Sequence, residues 1–432
     1  MLLEIVSRET IKPSSPTPPH LKIHALSLFD QLAPHMFVPL VFFFRHDNDC
    51  SRSSIVVISE SLKLSLSKTL SRYYPFAGRM KDKERVECND EGVTFLEARV
   101  RSGRLSEVVE KRRSEIVEVM FGDGLQWKES KSGALLMVQI TLFECGGFAV
   151  GVLLSHKLAD MATMVNFIQD WALISRDAAL GEQLVNPLFV AADLFPLGDL
   201  PAMSGAVIED GKGFLCHRIV FEGSKIEALK NSVSDKVENP SRVEVVSALI
   251  YKTLISASPS PSNSLMLQTL NLRTRVAPPL PENVVGSLVS FFPVAAGGEK
   301  EVELHELVGK MRDEMADFCN KYAKKYRTEE WGEAIKKRLK ESGEILTKNG
   351  GNQEVYRFSS GCRFPIYEVD FGWGAAAWVT MAAFRLKNTV MMLDAKSGGG
   401  IEALVGLGHN QMAAFLQNQE LLSFAFFESN CQ

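Results

Sequence analysis

The sequence of Leu135–Asp160 is LLMVQITLFECGGFAVGVLLSHKLAD. Its first half places apolar side chains at alternate positions, namely Leu136, Val138, Ile140 and Leu142. This period of two predicts a β-strand that buries one face. Gly146-Gly147 then predicts a turn, and the apolar run that follows predicts a second, buried strand. Leu135–Asp160 therefore predicts a hairpin that ends close to His156.

The hydrophobic period changes directly after this hairpin. Apolar side chains now recur at helical spacing, at Met161, Met164, Val165, Ile168 and Trp171. A stripe of this kind predicts an amphipathic helix that packs on the core. The segment His156–Asp160 is thus predicted to lie where a buried strand passes into a helix.

Strand and helix patterns also recur in the rest of the chain. Leu62, Leu66, Leu70 and Tyr73 predict an amphipathic helix that Pro75 ends. A charged stretch at Glu301–Lys340 is typical of a helix, and strands are predicted at Tyr367–Phe371, Ala377–Phe384 and Thr389–Asp394. This mixture predicts the α/β class.

The chain is long enough for two domains. It has 432 residues, and the Gly-, Pro- and Asp-rich composition of Phe195–Gly213 is typical of a crossover between domains. We therefore expect an N-terminal domain at residues 1–196, a linker at 197–214 and a C-terminal domain at 215–432.

Composition and charge exclude several classes of protein. The 48 Lys and Arg residues against 52 Asp and Glu residues give a net charge of −4, with no basic run for nucleic acid. The longest apolar run, Met36–Phe44, is too short to span a membrane. The N-terminus lacks the apolar core of a signal peptide, and the 7 cysteines form no Cys-x-x-Cys pair. These features predict a cytoplasmic protein with reduced thiols and no metal site.

His156 and Asp160 form the strongest local signal for chemistry. A histidine at the end of a strand can present its imidazole to a cleft, and near neutral pH it can accept a proton from an alcohol. An isolated His-x-x-x-Asp pattern is nevertheless more often a buried histidine with one hydrogen bond. The spacing alone therefore leaves both interpretations open.

Two further segments carry candidate residues. Asp370-Phe-Gly-Trp-Gly374 follows a predicted strand, and its glycines permit a tight backbone course that would hold Trp373 in place. The alternative is a structural turn in which Asp370 caps backbone groups. Asn271–Arg275 is either a loop with solvated arginines or the source of a buried partner for an acid.

Together these motifs resemble the paired signatures of the plant BAHD acyltransferases, especially of members that acetylate alkaloids. Other segments of the chain match the family in its usual order: Pro13–Pro18, Leu26–Gln31, Tyr73–Arg79, Cys88–Asp90, Glu144–Gly147, Ser241–Glu244, Asp394 and Gly400–Ala403. The resemblance covers essentially the whole chain. It implies two similar chloramphenicol-acetyltransferase-like domains with mixed sheets and a channel between them.

The resemblance also implies a role for each candidate residue. His156 is the general base, and Asp160 is a structural acid paired with Arg273 or, as the weaker alternative, Arg275. Asp370 and Trp373 belong to the catalytic set, Asp370 as a distant scaffold and Trp373 as an indole N–H donor to the oxyanion. The residues that contact coenzyme A stay unassigned.

The function implied is transfer of acetyl from acetyl-CoA, a co-substrate with no permanent cofactor, to a hydroxyl of an alkaloid or terpenoid. An aromatic or longer acyl-CoA, an amine acceptor and a non-catalytic metabolite-binding homologue are the alternatives. A monomer that binds only these small molecules is expected, without nucleic acid or membrane. The chain departs from the family at Met161, where glycine is common, and at Ala375-Ala376, where Lys-Pro is common.

Overall fold

The first sheet of the protein contains the predicted hairpin. The computed structural model describes residues 2–45, 52–112, 114–122, 133–176, 184–197, 213–296, 302–347, 353–382 and 386–427. Six strands form this sheet in the order β1-β6-β7-β8-β3-β13. Their bounds are β1 Leu3–Ile11, β3 Phe37–Phe44, β6 Val93–Val100, β7 Leu136–Phe143, β8 Phe148–Ser155 and β13 Trp378–Met381. Only β6 and β7 pair in parallel, so the sheet is mixed.

The second sheet is also mixed and has seven strands in the order β11-β10-β12-β14-β15-β9-β16. Strands β10, β12 and β14 are parallel, and the other pairs are antiparallel. The bounds are β9 Phe214–Phe221, β10 Ser264–Asn271, β11 Val289–Ala295, β12 Glu354–Ser360, β14 Thr389–Asp394, β15 Ile401–Gly408 and β16 Phe426–Phe427. A small third sheet joins β2 Ile23–Ala25, β4 Arg79–Met80 and β5 Arg85–Glu87.

Helices cover the sheets. Those of the first half are α1 Leu28–Leu32, α2 Arg52–Arg72, α3 Leu105–Lys111, α4 Ser114–Glu118, α5 Met161–Arg176 and α6 Ala191–Leu194. Those of the second half are α7 Gly223–Asn231, α8 Arg242–Ala257, α9 Leu304–Lys321, α10 Trp331–Thr347, α11 His409–Leu416 and α12 Gln419–Phe424. Within the described part of the chain, no helix is both long and apolar enough to cross a membrane.

The α/β class and the elements around His156 are confirmed. Strands β7 and β8 pair antiparallel around Gly146-Gly147, and α5 starts at Met161, directly after Asp160. Leu62, Leu66 and Leu70 of α2 are fully buried in the hydrophobic core against the first sheet. Because both faces of β7 and β8 carry buried side chains, these two strands lie inside the molecule.

Two predicted elements differ from the structure. The stretch predicted as helical at Glu301–Lys340 does contain helix, but it is divided into α9 and α10, because the chain turns between them and Arg327 has a left-handed φ of 62°. Tyr367–Phe371 is not a strand, since Ile366–Glu368 forms a short 3-10 turn after Pro365 and the next residues are irregular. The residues predicted to cross between domains lie largely outside the described part of the chain.

The two halves of the chain interlock. Strand β13 comes from the second half but pairs with β3 in the first sheet. In the opposite direction, Phe29 and Phe195 of the first half pack into the core of the second. The buried Glu402 of β15 pairs with Arg112, which follows α3, at 2.7 Å. These contacts therefore connect the first sheet and its helices to the second half of the chain.

Candidate active site

His156 lies at the end of β8, as the hairpin predicts. Its backbone N–H donates to the carbonyl of Met36 at 2.8 Å, which ties the start of the turn to the residue before β3. The imidazole is half-buried, and its Nδ1 lies 2.9 Å from the hydroxyl oxygen of Ser287. This contact engages one ring nitrogen, and the backbone at His156 and Ala159 also hydrogen-bonds to the ring.

The surroundings of His156 favour the neutral imidazole. Burial lowers its pKa below the ordinary 6.5, because the charged form loses water. The negative charge of Asp160 opposes this shift, whereas the positive charge of Lys157 adds to it. The ring is therefore mostly neutral near pH 7, the state in which a general base accepts a proton.

Asp160 points its carboxylate into a buried network. One oxygen accepts from Arg273 at 2.5 Å and from the backbone N–H of Leu288 at 3.0 Å. The other accepts from the backbone N–H of Thr163 at 3.0 Å, in the first turn of α5. Both oxygens are thus occupied by structural donors. The arrangement fits a supporting role, as the sequence resemblance implied.

Arg273 is the partner of Asp160, whereas Arg275 is exposed. The Arg273 side chain is completely buried just after β10. Its guanidinium donates to the carbonyls of Val284 and Gly286 and to Thr163 Oγ1 at 2.7–3.1 Å. A buried charge is tolerated when such bonds compensate for lost hydration. The pair therefore joins the start of α5 to the loop before β11.

Asp370 and Trp373 lie in a separate place. The Asp370 carboxylate accepts from the backbone N–H groups of Gly372 and Gly374 at 2.8 and 2.9 Å. It thus caps its own turn, as the structural alternative for this residue predicts. The Trp373 ring packs edge-on against Phe148, with ring centroids 5.3 Å apart.

That packing separates Trp373 from the base. Phe148 is the first residue of β8, and His156 follows the last. Eight residues of extended chain span about 26 Å at about 3.3 Å per residue. The structure therefore does not bring Trp373 or Asp370 together with His156, and this placement does not support an oxyanion role for the Trp373 indole.

The departure from the family at Met161 has a local counterpart. Met161 begins α5 without disturbing it, and its side chain lies over Gly361, directly after β12. A Cβ added at Gly361 would lie 3.2 Å from Met161 Cε and 2.7 Å from Leu393 Cδ2. The large residue in α5 and the missing side chain after β12 are thus complementary in size.

Two residues near the base cannot be recognised from the sequence as parts of the site. Ser287 contacts the imidazole, and Asp30 accepts from the Ser287 backbone N–H at 2.6 Å. Burial raises the pKa of Asp30 to about 6, although bonds from Ser27 and Ser287 oppose the shift. The only local signal was a capping box, in which Ser27 and Asp30 bind each other at the start of α1.

The structure argues against Cys145 and Ser155 as nucleophiles that would carry the acyl group. Cys145 lies at the turn between β7 and β8, at the far end of the hairpin from His156. Ser155 is buried, and its hydroxyl accepts from the backbone N–H of Lys157. Among the described residues, no group of three His, Cys, Asp or Glu side chains could hold a metal ion.

Comparison with known proteins identifies the family of this chain. A family model described as the Transferase family matches residues 1–422. The chain belongs to this family, the BAHD acyltransferases. It is 36% identical to a 17,18-epoxy-17-hydroxycur-19-ene N-malonyltransferase of Strychnos nux-vomica, over 98% of this chain and 90% of the relative. It is 34% identical to a limonoid 1-O-acetyltransferase of Citrus sinensis over the full length of both.

The solved structure of vinorine synthase shows the same fold. Its TM-score with this BAHD chain is 0.84, at 31% identity over 98% of both chains. The chain is accordingly a BAHD-type acyltransferase of plant specialised metabolism, and enzymes of this family use acyl-CoA as co-substrate.

Proposed function

We propose that this enzyme transfers an acetyl group from acetyl-CoA to a hydroxyl of an alkaloid or terpenoid, with His156 as general base. The observation that carries the proposal is the imidazole at the end of β8, which is half-buried and bonded at Nδ1. Burial keeps it neutral near pH 7. A limonoid acetyltransferase among the relatives supports both the acetyl donor and a bulky acceptor.

In this mechanism His156 Nε2 accepts the proton of the acceptor hydroxyl. The hydroxyl oxygen attacks the thioester carbonyl carbon, and a tetrahedral intermediate forms. Its collapse breaks the carbon–sulfur bond, and the imidazolium returns the proton to the departing CoA thiolate. The products are an ester and free coenzyme A, so the base is restored in each turnover.

Transfer is direct in this proposal, without an acyl-enzyme. A thioester already has a good leaving group, so one base and an aligned alcohol suffice. Cys145 is remote from His156, and the hydroxyls of Ser155 and Ser287 are fully buried. Intact-mass spectrometry with acetyl-CoA alone should show unmodified protein, whereas an acetyl adduct that acceptor discharges would contradict direct transfer.

The domain organisation belongs to the same proposal. Residues 1–196 and 215–432 form two domains of a cytoplasmic monomer, with 197–214 between them, and the substrates reach His156 through a channel between the domains. His156 comes from the first domain and its partner Ser287 from the second, which supports a site where the domains meet.

The donor has one specific competitor. A relative that is 36% identical is named as an N-malonyltransferase, so malonyl-CoA and an amine acceptor form the second candidate reaction. Among the described residues, the cations around His156 are Lys157 and Arg273, and each already binds a group of the protein. Neither is therefore available to pair with a malonyl carboxylate. We therefore favour the uncharged acetyl group.

The experiment is a donor-by-acceptor assay with purified protein. Acetyl-CoA, malonyl-CoA and benzoyl-CoA are each mixed with a panel of alkaloid and terpenoid alcohols and amines, and both free thiol and product are measured. We expect free coenzyme A to appear in step with an acetyl ester. Faster turnover with malonyl-CoA or benzoyl-CoA would contradict the donor, and binding without thiol release would contradict the enzyme mechanism.

A further inference from the structure

Among the described residues, Ser287 places its hydroxyl in contact with the imidazole of His156. It lies in the segment Gly286–Leu288, directly before β11, and its side chain is fully buried. The contact joins residues 131 positions apart, one from each half of the chain. The second half of the molecule therefore contributes to the orientation of the base, together with the backbone at His156 and Ala159.

The segment Gly286–Leu288 is held by three successive backbone groups. The carbonyl of Gly286 accepts from Thr163 Oγ1 and from Arg273. The N–H of Ser287 donates to Asp30, and the N–H of Leu288 donates to Asp160 at 3.0 Å. Each of these anchors is buried. Such a frame leaves the Ser287 side chain little freedom to move away from Nδ1.

We infer that Ser287 is a positioning residue, whose hydroxyl accepts a hydrogen bond from His156 Nδ1–H. The inference rests on the proposed function of His156 as base. A proton held at Nδ1 leaves the lone pair on Nε2, which is the nitrogen that takes the acceptor's proton. Loss of the bond would allow the other tautomer and other ring orientations, so a smaller fraction of the enzyme would be ready to react.

The inference gives the Asp160–Arg273 pair a more specific role. Asp160 binds Leu288 N–H, and Arg273 binds the Gly286 carbonyl, so the pair grips the residues on both sides of Ser287. Asp30 completes the frame from α1. The pair therefore acts on the base through Ser287, in addition to holding the His156 turn.

Serine exchange tests the inference. Ser287→Ala should lower kcat about tenfold to hundredfold, the size expected for one lost orienting hydrogen bond, with little change in KM for either substrate. Ser287→Thr, which keeps a hydroxyl, should recover most of the loss. Ser247→Ala, at a fully buried serine of α8, is the matched control and should leave kcat unchanged.

A second measurement does not depend on turnover or on a variant. The ¹⁵N shifts of His156 in histidine-labelled wild-type protein should show a protonated Nδ1 and an unprotonated Nε2 near pH 7.5, assigned by loss of the signals in His156→Ala. The opposite tautomer, or a Ser287→Ala enzyme within twofold of wild-type kcat, would overturn the inference. Wild-type protein that has the expected tautomer but no transferase activity would instead contradict the proposed function.

Discussion

The segments His156–Asp160 and Asp370–Gly374 are equally prominent as sequence motifs, but the structure places them in different surroundings. The first is bound to residues of both halves through Met36, Ser287 and Arg273. The second mainly binds itself, because Asp370 caps Gly372 and Gly374. They lie at opposite ends of β8.

This difference separates chemical from architectural roles. A residue that takes a proton needs a nitrogen or oxygen that the substrate can reach, and this is the role proposed for His156 Nε2. Asp370 already accepts two backbone hydrogen bonds, and its other oxygen faces Arg176 at 3.7 Å. The second motif therefore shapes a turn next to β13, the strand that crosses into the first sheet.

The largest expected effect follows from removal of the base. His156→Ala should lower kcat by about 10²–10⁴-fold, because general base catalysis contributes a factor of that size. The variant should still fold, since the imidazole has only a few contacts. Steady-state kinetics and thermal melting measure the two quantities.

The matched control is His305→Ala, at a half-exposed histidine of α9. It should keep wild-type kcat and melting temperature. A His156→Ala enzyme with more than a tenth of wild-type turnover would place the chemistry elsewhere and remove the contrast between the two motifs.

The next effect concerns stability as well as rate. Asp160→Ala leaves the buried Arg273 guanidinium without its carboxylate, which should cost about 3–5 kcal/mol of folding free energy. We expect a lower melting temperature together with lost activity. Asp317→Ala, which removes an exposed pairing with Lys321, should leave the melting temperature unchanged. Clean loss of turnover at unchanged stability would instead make Asp160 a catalytic partner of His156.

A smaller effect is expected in the second motif. Asp370→Ala removes the acceptor for the Gly372 and Gly374 N–H groups and should lower the free energy of unfolding by about 1 kcal/mol, since water can replace part of the loss. Its kcat should stay within tenfold of wild type. Asp370→Asn keeps an acceptor oxygen and should recover the stability. A loss of kcat as large as that of His156→Ala would show that Asp370 takes part in catalysis.

Hydrophobic period predicted the elements that carry His156. The alternation in Leu135–Asp160 and the stripe after it set β7, β8 and α5, since local burial decides those patterns. The same reasoning failed at Tyr367–Phe371, where alternating apolar residues lie in a short 3-10 turn and the irregular chain after it. Nothing local predicts that β13 pairs with β3, because that pairing joins residues more than 300 positions apart.

The site was predictable only where a motif contains it. His156 and Asp160 stand out as a pair, and the resemblance supplied Arg273. Ser287 and Asp30 reach the base through contacts across 131 and 257 positions, and each is an ordinary residue of its own segment. Only the three-dimensional fold brings such residues together.

The smallest expected effect is a shift of the pH profile. Since burial lowers the pKa of His156, kcat/KM should stay level from neutrality to below pH 6.5 and then fall as the imidazole gains a proton. The Asp160 charge raises that pKa, so Asp160→Asn should move the acid limb to lower pH. Asp370→Asn should leave it in place, because that carboxylate lies at the other end of β8.

Asp30 must be separated from this effect, because its own pKa of about 6 falls in the same range. Lys157 and Arg273 are the other charged groups beside the imidazole and Asp160. If protonation of His156 causes the fall of kcat/KM at low pH, the Asp30→Asn enzyme should keep that fall. Asp160→Asn, added to Asp30→Asn, should still move the fall to lower pH. Asp160 acts on the imidazole through its charge, and it is buried. High salt should therefore reduce the pH shift caused by Asp160→Asn less than it would reduce the effect of an exposed charge. An acid limb that disappears in Asp30→Asn would assign it to Asp30, and one that shifts equally in Asp370→Asn would show that the two motifs are electrostatically coupled after all.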